Sequence, residues 1–283
     1  MLSADEVRAQ AATLRWFHSI DLGQGVITAG DAEAPVPTEL LPSFSGKEVL
    51  DIGAWDGYYS FLAEREGARR VVSLDHYAWG VDFAARGAYW HRCFVEGTLP
   101  DQSLDETEFW QPDLPGRQSF DFARSVLQSA VEPVVGDIMA TDLEALGQFD
   151  VVLCLGVLYH MKEPLTLLER VRAVTREVAV IETEAIHFQD HDDEALLRFH
   201  AGGDLHTDFG NWYVPTIGAL HAMCRAAGFR TVETAVGPPA APLASSAPPS
   251  LRTRVGRRLA NVTVPNTASA PSTRFRAVVR ACV

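Results

Sequence analysis

The chain of 283 residues predicts a parallel α/β sheet, and three stretches carry that reading. The run from Phe149 to Gly156 (FDVVLCLG) is almost wholly apolar, as a central parallel strand buried on both faces should be. The run from Glu48 to Ser60 (EVLDIGAWDGYYS) reads as a buried strand, a tight glycine turn and the start of a helix. A further apolar run, Arg70 to Asp75 (RVVSLD), ends in a carboxylate 24 residues after Asp51. Strands alternate with helical patterns along the rest of the chain, which is the signature of a parallel sheet covered by helices.

Each element follows in order. Ser3 and Glu6 form a capping box, which predicts a helix over about 4–16. Residues 16–30 end in turn formers, and a proline-rich link leads to the first core strand at about 48–53. A helix runs from near Tyr58 to near Gly67, followed by a strand over 70–75. Residues 77–118 are rich in Trp, Phe, Asp and Pro, and are too long for a structureless loop inside a compact core. They read either as an insertion with short helices lying over the site or as a peripheral lobe around its own aromatic cluster. The core pattern resumes with a helix over 118–130 and a strand from Val131 to Val135 that ends at Gly136-Asp137-Ile138. After strand 149–156 come a helix over 164–174, a strand from Val178 to Glu182, a polar segment over 184–213 and a helix over 215–227. Strands near 229–236 and 273–282 close the chain, separated by a Pro/Ala/Ser-rich linker that begins at Gly237. The expected organisation is an N-terminal helical segment (1–45), a core (46–236) with the insertion at about 77–118, a linker with an arginine-rich segment (237–272) and a last strand (273–283).

Bulk properties exclude several function classes. Net charge is −13, and residues 251–283 hold seven arginines and no acid. The first 250 residues therefore carry 17 basic against 37 acidic side chains, a balance of −20. A body that acidic lacks the electrostatic footprint of a nucleic-acid binder. The arginines at 252, 254, 257 and 258 read as a solvated charge run balancing acidic neighbours. No apolar run reaches the length of a membrane span, and the first residues lack the pattern of a signal peptide. Four scattered cysteines form no metal-type pair, which suits a reduced, cytoplasmic setting. The sequence leaves a homo-oligomer open.

The glycine turn and the acidic end of the second strand indicate a nucleoside-type cofactor. Gly53 and Gly57 bracket a loop whose backbone would come close to a ligand, and Asp75 is placed to accept hydrogen bonds from a ribose diol. The turn, DIGAWDG, lacks the third glycine of a dinucleotide-binding G-x-G-x-x-G. Asp56 inside it would repel a pyrophosphate but could accept hydrogen bonds from an ammonium group. S-adenosylmethionine has an ammonium and no phosphate. The turn thus resembles motif I of class I methyltransferases; the plainer alternative is an ordinary α/β protein with a tight loop.

Three longer stretches extend that resemblance: residues 16–28 (WFHSIDLGQGVIT), 149–160 (FDVVLCLGVLYH) with Pro164 shortly after, and 197–216 (LRFHAGGDLHTDFGNWYVPT). Together they resemble the tRNA wobble-uridine (5-methoxyuridine / 5-carboxymethoxyuridine) methyltransferase family over about residues 14–236. The resemblance implies a Rossmann-like class I methyltransferase sheet of seven strands with an antiparallel last strand, and S-adenosyl-L-methionine as cofactor. It places Asp51, Gly53, Ala54 and Gly57 under the methionine and ribose parts, Asp75 on the ribose hydroxyls and Asp137 with Ile138 on the adenine. Gly156 to His160 would lie beside the transferred group. The branch that transfers a carboxymethyl group holds the extra carboxylate with a lysine, a tyrosine and an arginine. The tyrosine matches Tyr159, the lysine position falls on His18, and the arginine finds no match. Without the fixed cation, ordinary S-adenosylmethionine is the expected donor. With an acidic body, a small molecule is the expected acceptor, possession of a nucleic-acid partner being disfavoured.

Methyl transfer from a sulfonium is an in-line displacement in which alignment supplies much of the rate. An oxygen or nitrogen acceptor usually also loses a proton to a base. His18, His160, His206, Asp204 and Asp208 are the candidates, with His160 the first choice, supported by Tyr159 and His18; the alternative for His160 is a structural role before Pro164. His187, His191, His200, Asp204, His206 and Asp208 have the composition of metal ligands but no strict motif, so they read as a solvated acidic loop and no metal is expected. Trp212 and Tyr213 read as packing for a lid or the core. Three functions stand: a methyltransferase acting on oxygen or nitrogen of a small molecule, for instance in natural-product biosynthesis; a tRNA wobble-uridine methyltransferase; and a non-catalytic cofactor binder that has kept the fold.

Overall fold

The computed structural model describes residues 2–30, 36–111, 115–188, 191, 194–200, 203–206, 209–239 and 272–283. Helix α1 spans Ala4–Ala11 and starts on the expected Ser3–Glu6 capping box. It ends earlier than the sequence suggests, because Trp16 folds back and donates its indole N–H to the Ala11 carbonyl (2.8 Å). Strand β1 (Glu48–Ile52), helix α2 (Tyr58–Arg65) and strand β2 (Arg70–Asp75) form the first βαβ unit, with β1 and β2 parallel. Helices α3 (Tyr77–Gly80), α4 (Phe83–Glu96) and α5 (Pro115–Leu127) follow. Then come β3 (Glu132–Val135), α6 (Leu143–Leu146), β4 (Phe149–Leu155), α7 (Pro164–Val174) and β5 (Thr175–Phe188). A small hairpin of β6 (Leu197–Phe199) and β7 (Tyr213–Pro215) precedes α8 (Ile217–Ala226), β8 (Thr231–Val236) and β9 (Ser272–Cys282).

The main sheet has seven strands in the order β3-β2-β1-β4-β5-β9-β8. Strands β1 to β5 are parallel, and the last strand, β9, runs antiparallel between β5 and β8. This is the class I methyltransferase sheet. Pro133 sits in β3 at one edge, where a missing N–H costs no ladder bond. The sheet is buried on both faces. One face packs Val49, Val71 and Val151 with Phe61, Trp79 and Phe120; the other packs Leu50, Val72 and Val152 with Leu167, Leu168 and Leu220. Alternate residues of one strand go to opposite faces, which is why the central strands read as continuous apolar runs.

Strand β5 is much longer than the expected Val178 to Glu182. It continues to Phe188 because β9 pairs with it over the whole length, from Val178 opposite Cys282 to Phe188 opposite Ser272. The polar residues after Glu182 are held by a partner nearly a hundred positions away, so local composition does not report them. His187 therefore lies in a strand. The insertion after β2 does two jobs at once. Trp79 is buried against Phe120 (centroids 4.6 Å apart) and donates to the Trp55 carbonyl (2.5 Å), while Tyr89 and Phe109 pair farther out (5.6 Å). Most of the linker, and the arginines at 252, 254, 257 and 258, lie outside the described residues. Among those described, no helix is long and apolar enough to cross a membrane.

Gly57 is the N-cap of α2, with φ +84°. The expectation was close approach to a ligand. Instead, a Cβ here would lie 2.5 Å from Phe61 and 2.7 Å from Phe120, so aromatic packing sets the glycine requirement. Left-handed backbone costs a side-chain-bearing residue about 1–2 kcal/mol and core overpacking another 1–3. Gly57→Ala should therefore destabilise the fold by roughly 2–5 kcal/mol in a urea titration.

Candidate active site

β1 lies between β2 and β4, so the chain leaves β1 and β4 in opposite directions and a crevice opens at their carboxyl ends. A cavity of about 740 Å³ occupies that crevice. Its floor is the glycine turn, where Gly53 and Ala54 donate backbone N–H groups to the Leu74 carbonyl (2.8 and 3.4 Å) and so pin β1's end to β2's. Gly53 has φ +76°, and a Cβ there would meet Val157 at 2.6 Å. Of the residues expected to hold a cofactor, Asp51, Gly53, Ala54, Asp75, Asp137, Ile138 and Gly156 line this cavity; Gly57 does not. His18, Tyr159 and His160 line it too.

Two of its buried carboxylates lie beside the glycine turn. Asp51 accepts from Ser60 Oγ (2.6 Å), and Asp75 accepts backbone N–H groups of Trp55 and Ala78 (both 2.9 Å), one on each oxygen. Neither forms an ion pair among the described residues. Burial pushes each carboxyl up to about 6. Both folded values lie above that of an unfolded aspartate. The stability these groups contribute is thus fully present below about pH 4 and lost as pH rises through about 6. Asp51→Asn, which cannot ionise, should raise the stability of the unliganded protein at pH 7 by roughly 3 kcal/mol and leave it unchanged near pH 4. Urea midpoints at the two pH values check this.

The other side of the cavity is built by β5, β9 and the turn after β4. Tyr159 and His160 sit in a 3₁₀ turn, with rings 4.2 Å apart, and His160 Nδ1 faces the Gly210 carbonyl at 3.2 Å. Burial raises the Tyr159 phenol above its usual range. Arg276 of β9 stacks over the Tyr159 ring (5.1 Å) and makes a two-pronged ion pair with buried Glu182; its Nη1 lies 3.5 Å from Glu184. Burial opposes the Arg276 charge, but Glu182 more than offsets this and holds the guanidinium above its usual range. Sequence reasoning missed this cluster. A signal existed in principle, since Glu184 stands directly opposite Arg276 once β5 and β9 are paired.

The turn itself corrects one expectation. Asp56 was expected to receive an ammonium, yet it is fully buried and outside the cavity lining. Oδ2 accepts the N–H groups of Phe17 (2.8 Å) and His18 (2.6 Å), and Oδ1 faces His18 Nδ1 at 2.7 Å. Asp56 therefore ties the N-terminal segment to the glycine turn. Of the remaining base and metal candidates, His206 also lines the cavity, and the other described ones lie outside its lining. His206 Nε2 lies 3.4 Å from Glu184, and buried His200 lies 3.1 Å from exposed Asp204 without hydrogen-bond geometry. His191 pairs with Glu194 (2.8 Å), and Asp208 lies outside the described residues. Among the described residues, no group of three or more His, Cys, Asp or Glu is placed to hold a metal ion. Trp212 packs near Trp90 (5.7 Å), and its backbone N–H donates to the Tyr159 carbonyl (2.8 Å), so it braces the 3₁₀ turn.

This architecture has known relatives. A tRNA U34 carboxymethyltransferase of Campylobacter jejuni subsp. jejuni serotype O:6 is 27% identical over 195 residues, covering 68% of this chain and 53% of that protein. The enzyme of the same name from Alteromonas mediterranea is 26% identical over 198 residues, covering 68% and 48%. The chain thus spans about half the length of the curated relatives it matches. Among solved structures, the N-terminal domain of EvdMO1 with SAH bound superposes with a TM-score of 0.60 at 16% identity, over 100% of this chain and 98% of that one. At that identity the likeness bears on the fold alone. A family model described as "Methyltransferase domain" matches residues 31–234, well over half of the sequence, and the chain belongs to that methyltransferase family.

Proposed function

We propose that this protein transfers a methyl group from S-adenosyl-L-methionine to an oxygen or nitrogen of a small molecule. One observation carries the reading: Asp51 and Asp75 are desolvated, face one cavity and lack a cationic partner among the described residues. Such carboxylates fit a ligand with an ammonium, a sulfonium and a ribose diol, and repel a pyrophosphate. Asp51, with the backbone of Gly53 and Ala54, would hold the amino-acid end. Asp75 would take the ribose hydroxyls: each of its oxygens keeps a free lone pair after its backbone bond. Asp137 and Ile138 would flank the adenine, and Gly156 the sulfur side. Bound there, the cofactor supplies an electrophilic methyl group; the protein's part is to align the acceptor and remove its proton.

A donor bearing an additional carboxylate suits this cavity less well. His18 is held by Asp56, Arg276 faces Glu182 and Glu184, and Arg86 is paired with Asp105, which leaves exposed Arg274 as the remaining arginine of the lining. The acidic balance of the first 250 residues favours a small acceptor over a polyanion. The alternative, tRNA as substrate, is favoured by the names of the curated relatives. Incubation with methyl-labelled S-adenosylmethionine and either bulk tRNA or a panel of phenols, sugars and amines separates the two. Label should enter a panel member and leave tRNA unlabelled; label in tRNA alone overturns the small-molecule reading.

A further inference from the structure

We infer that His18 is the proton acceptor of this site and that Asp56 positions it. The inference rests on the function proposed above. A carboxylate oxygen can only accept, so Nδ1, 2.7 Å from Asp56 Oδ1, carries the hydrogen. In the neutral ring Nε2 is then the bare nitrogen, and His18 lines the cavity.

The ring is fixed from several sides. It stacks on Tyr58 (5.0 Å, 24°) and is edged by Tyr59 (5.5 Å) and Phe17 (4.8 Å). Its backbone is held as firmly. The His18 carbonyl accepts from Thr28 Oγ1 (2.9 Å), and a Cβ at Gly30 would lie 2.2 Å from the His18 carbonyl carbon. A fully buried carboxylate behind an imidazole does two things. It selects the tautomer, and it balances the charge that arrives with a proton. His160, by contrast, points Nδ1 at a neutral carbonyl, and His206 is half-exposed beside a carboxylate that also faces Arg276.

The step balances. The acceptor O–H or N–H bond breaks, the proton goes to His18 Nε2, and the electron pair on that atom forms the bond to the transferred methyl carbon. The pair of the broken carbon–sulfur bond stays on sulfur, and the proton leaves His18 for solvent.

The test reads the imidazole nitrogens directly. Full-length protein with 15N-labelled histidine rings is examined by long-range 1H–15N correlation, with and without S-adenosylhomocysteine, and His18 is assigned by the signal lost in His18→Asn. The expected result is a protonated Nδ1 and a bare Nε2. In Asp56→Asn the oxygen must stay on the two backbone N–H groups, so the amide NH₂ faces Nδ1 and the hydrogen should move to Nε2, with S-adenosylhomocysteine affinity retained in calorimetry. A bare Nδ1 in the wild-type protein, or an unchanged tautomer in a folded Asp56→Asn, overturns the inference. Because the wild-type tautomer is read without ligand as well, failure to bind S-adenosylhomocysteine counts against the cofactor reading and leaves the test of the dyad intact.

Discussion

Asp75→Ala should bind S-adenosylhomocysteine far more weakly than the wild-type protein while keeping its fold. Two hydrogen bonds to a charged acceptor contribute about 1.5–3 kcal/mol each, so losing both predicts a drop of roughly a hundredfold to twenty-thousandfold in affinity. The carboxylate is oriented for this by the Trp55 and Ala78 N–H groups. Calorimetric titration gives the affinity, and far-UV circular dichroism confirms that β2 and its neighbours are in place. The effect should also depend on pH in the wild-type protein. Ligand binding favours the ionised forms of Asp51 and Asp75, so affinity should rise with pH through about 6, with protons released on binding.

His18→Asn should lower kcat by roughly a hundredfold to ten-thousandfold with the acceptor that proves active, the usual contribution of a positioned base. Asparagine can still donate to Asp56, which preserves the anchor of the N-terminal segment, but it offers nothing in place of Nε2. The Michaelis constant for S-adenosylmethionine should change little. His160→Asn is the informative comparison, since His160 shares the cavity and its Nδ1 faces the Gly210 carbonyl. A larger loss in that variant would transfer the role of base to the 3₁₀ turn after β4.

Much of this site is legible in the sequence because it is local. Asp51, Gly53, Ala54 and Asp75 fall at the ends of two apolar strands, and the parallel sheet puts such ends at one edge. Asp137, Ile138 and Gly156 follow the same logic from β3 and β4. What the sequence conceals is pairing across distance. Asp56 reads as a ligand contact because its partners, Phe17 and His18, lie 39 and 38 residues earlier. The Glu182–Arg276 pair joins strands 94 residues apart, and that same pairing lengthens β5 into a segment whose composition suggests a loop. Gly57 shows a third limit. A glycine demanded by φ and one demanded by neighbouring rings look alike until Phe120 is placed against it.

The central claim is that the crevice at the ends of β1 and β4 holds an amino-acid-bearing nucleoside through two carboxylates that have no cationic partner among the described residues. Isothermal titration of the unliganded protein with S-adenosylhomocysteine and, separately, with NAD tests it most directly. The account predicts saturable binding of S-adenosylhomocysteine, lost in Asp75→Ala, and no heat from the dinucleotide. Binding of NAD with no response to S-adenosylhomocysteine would contradict it.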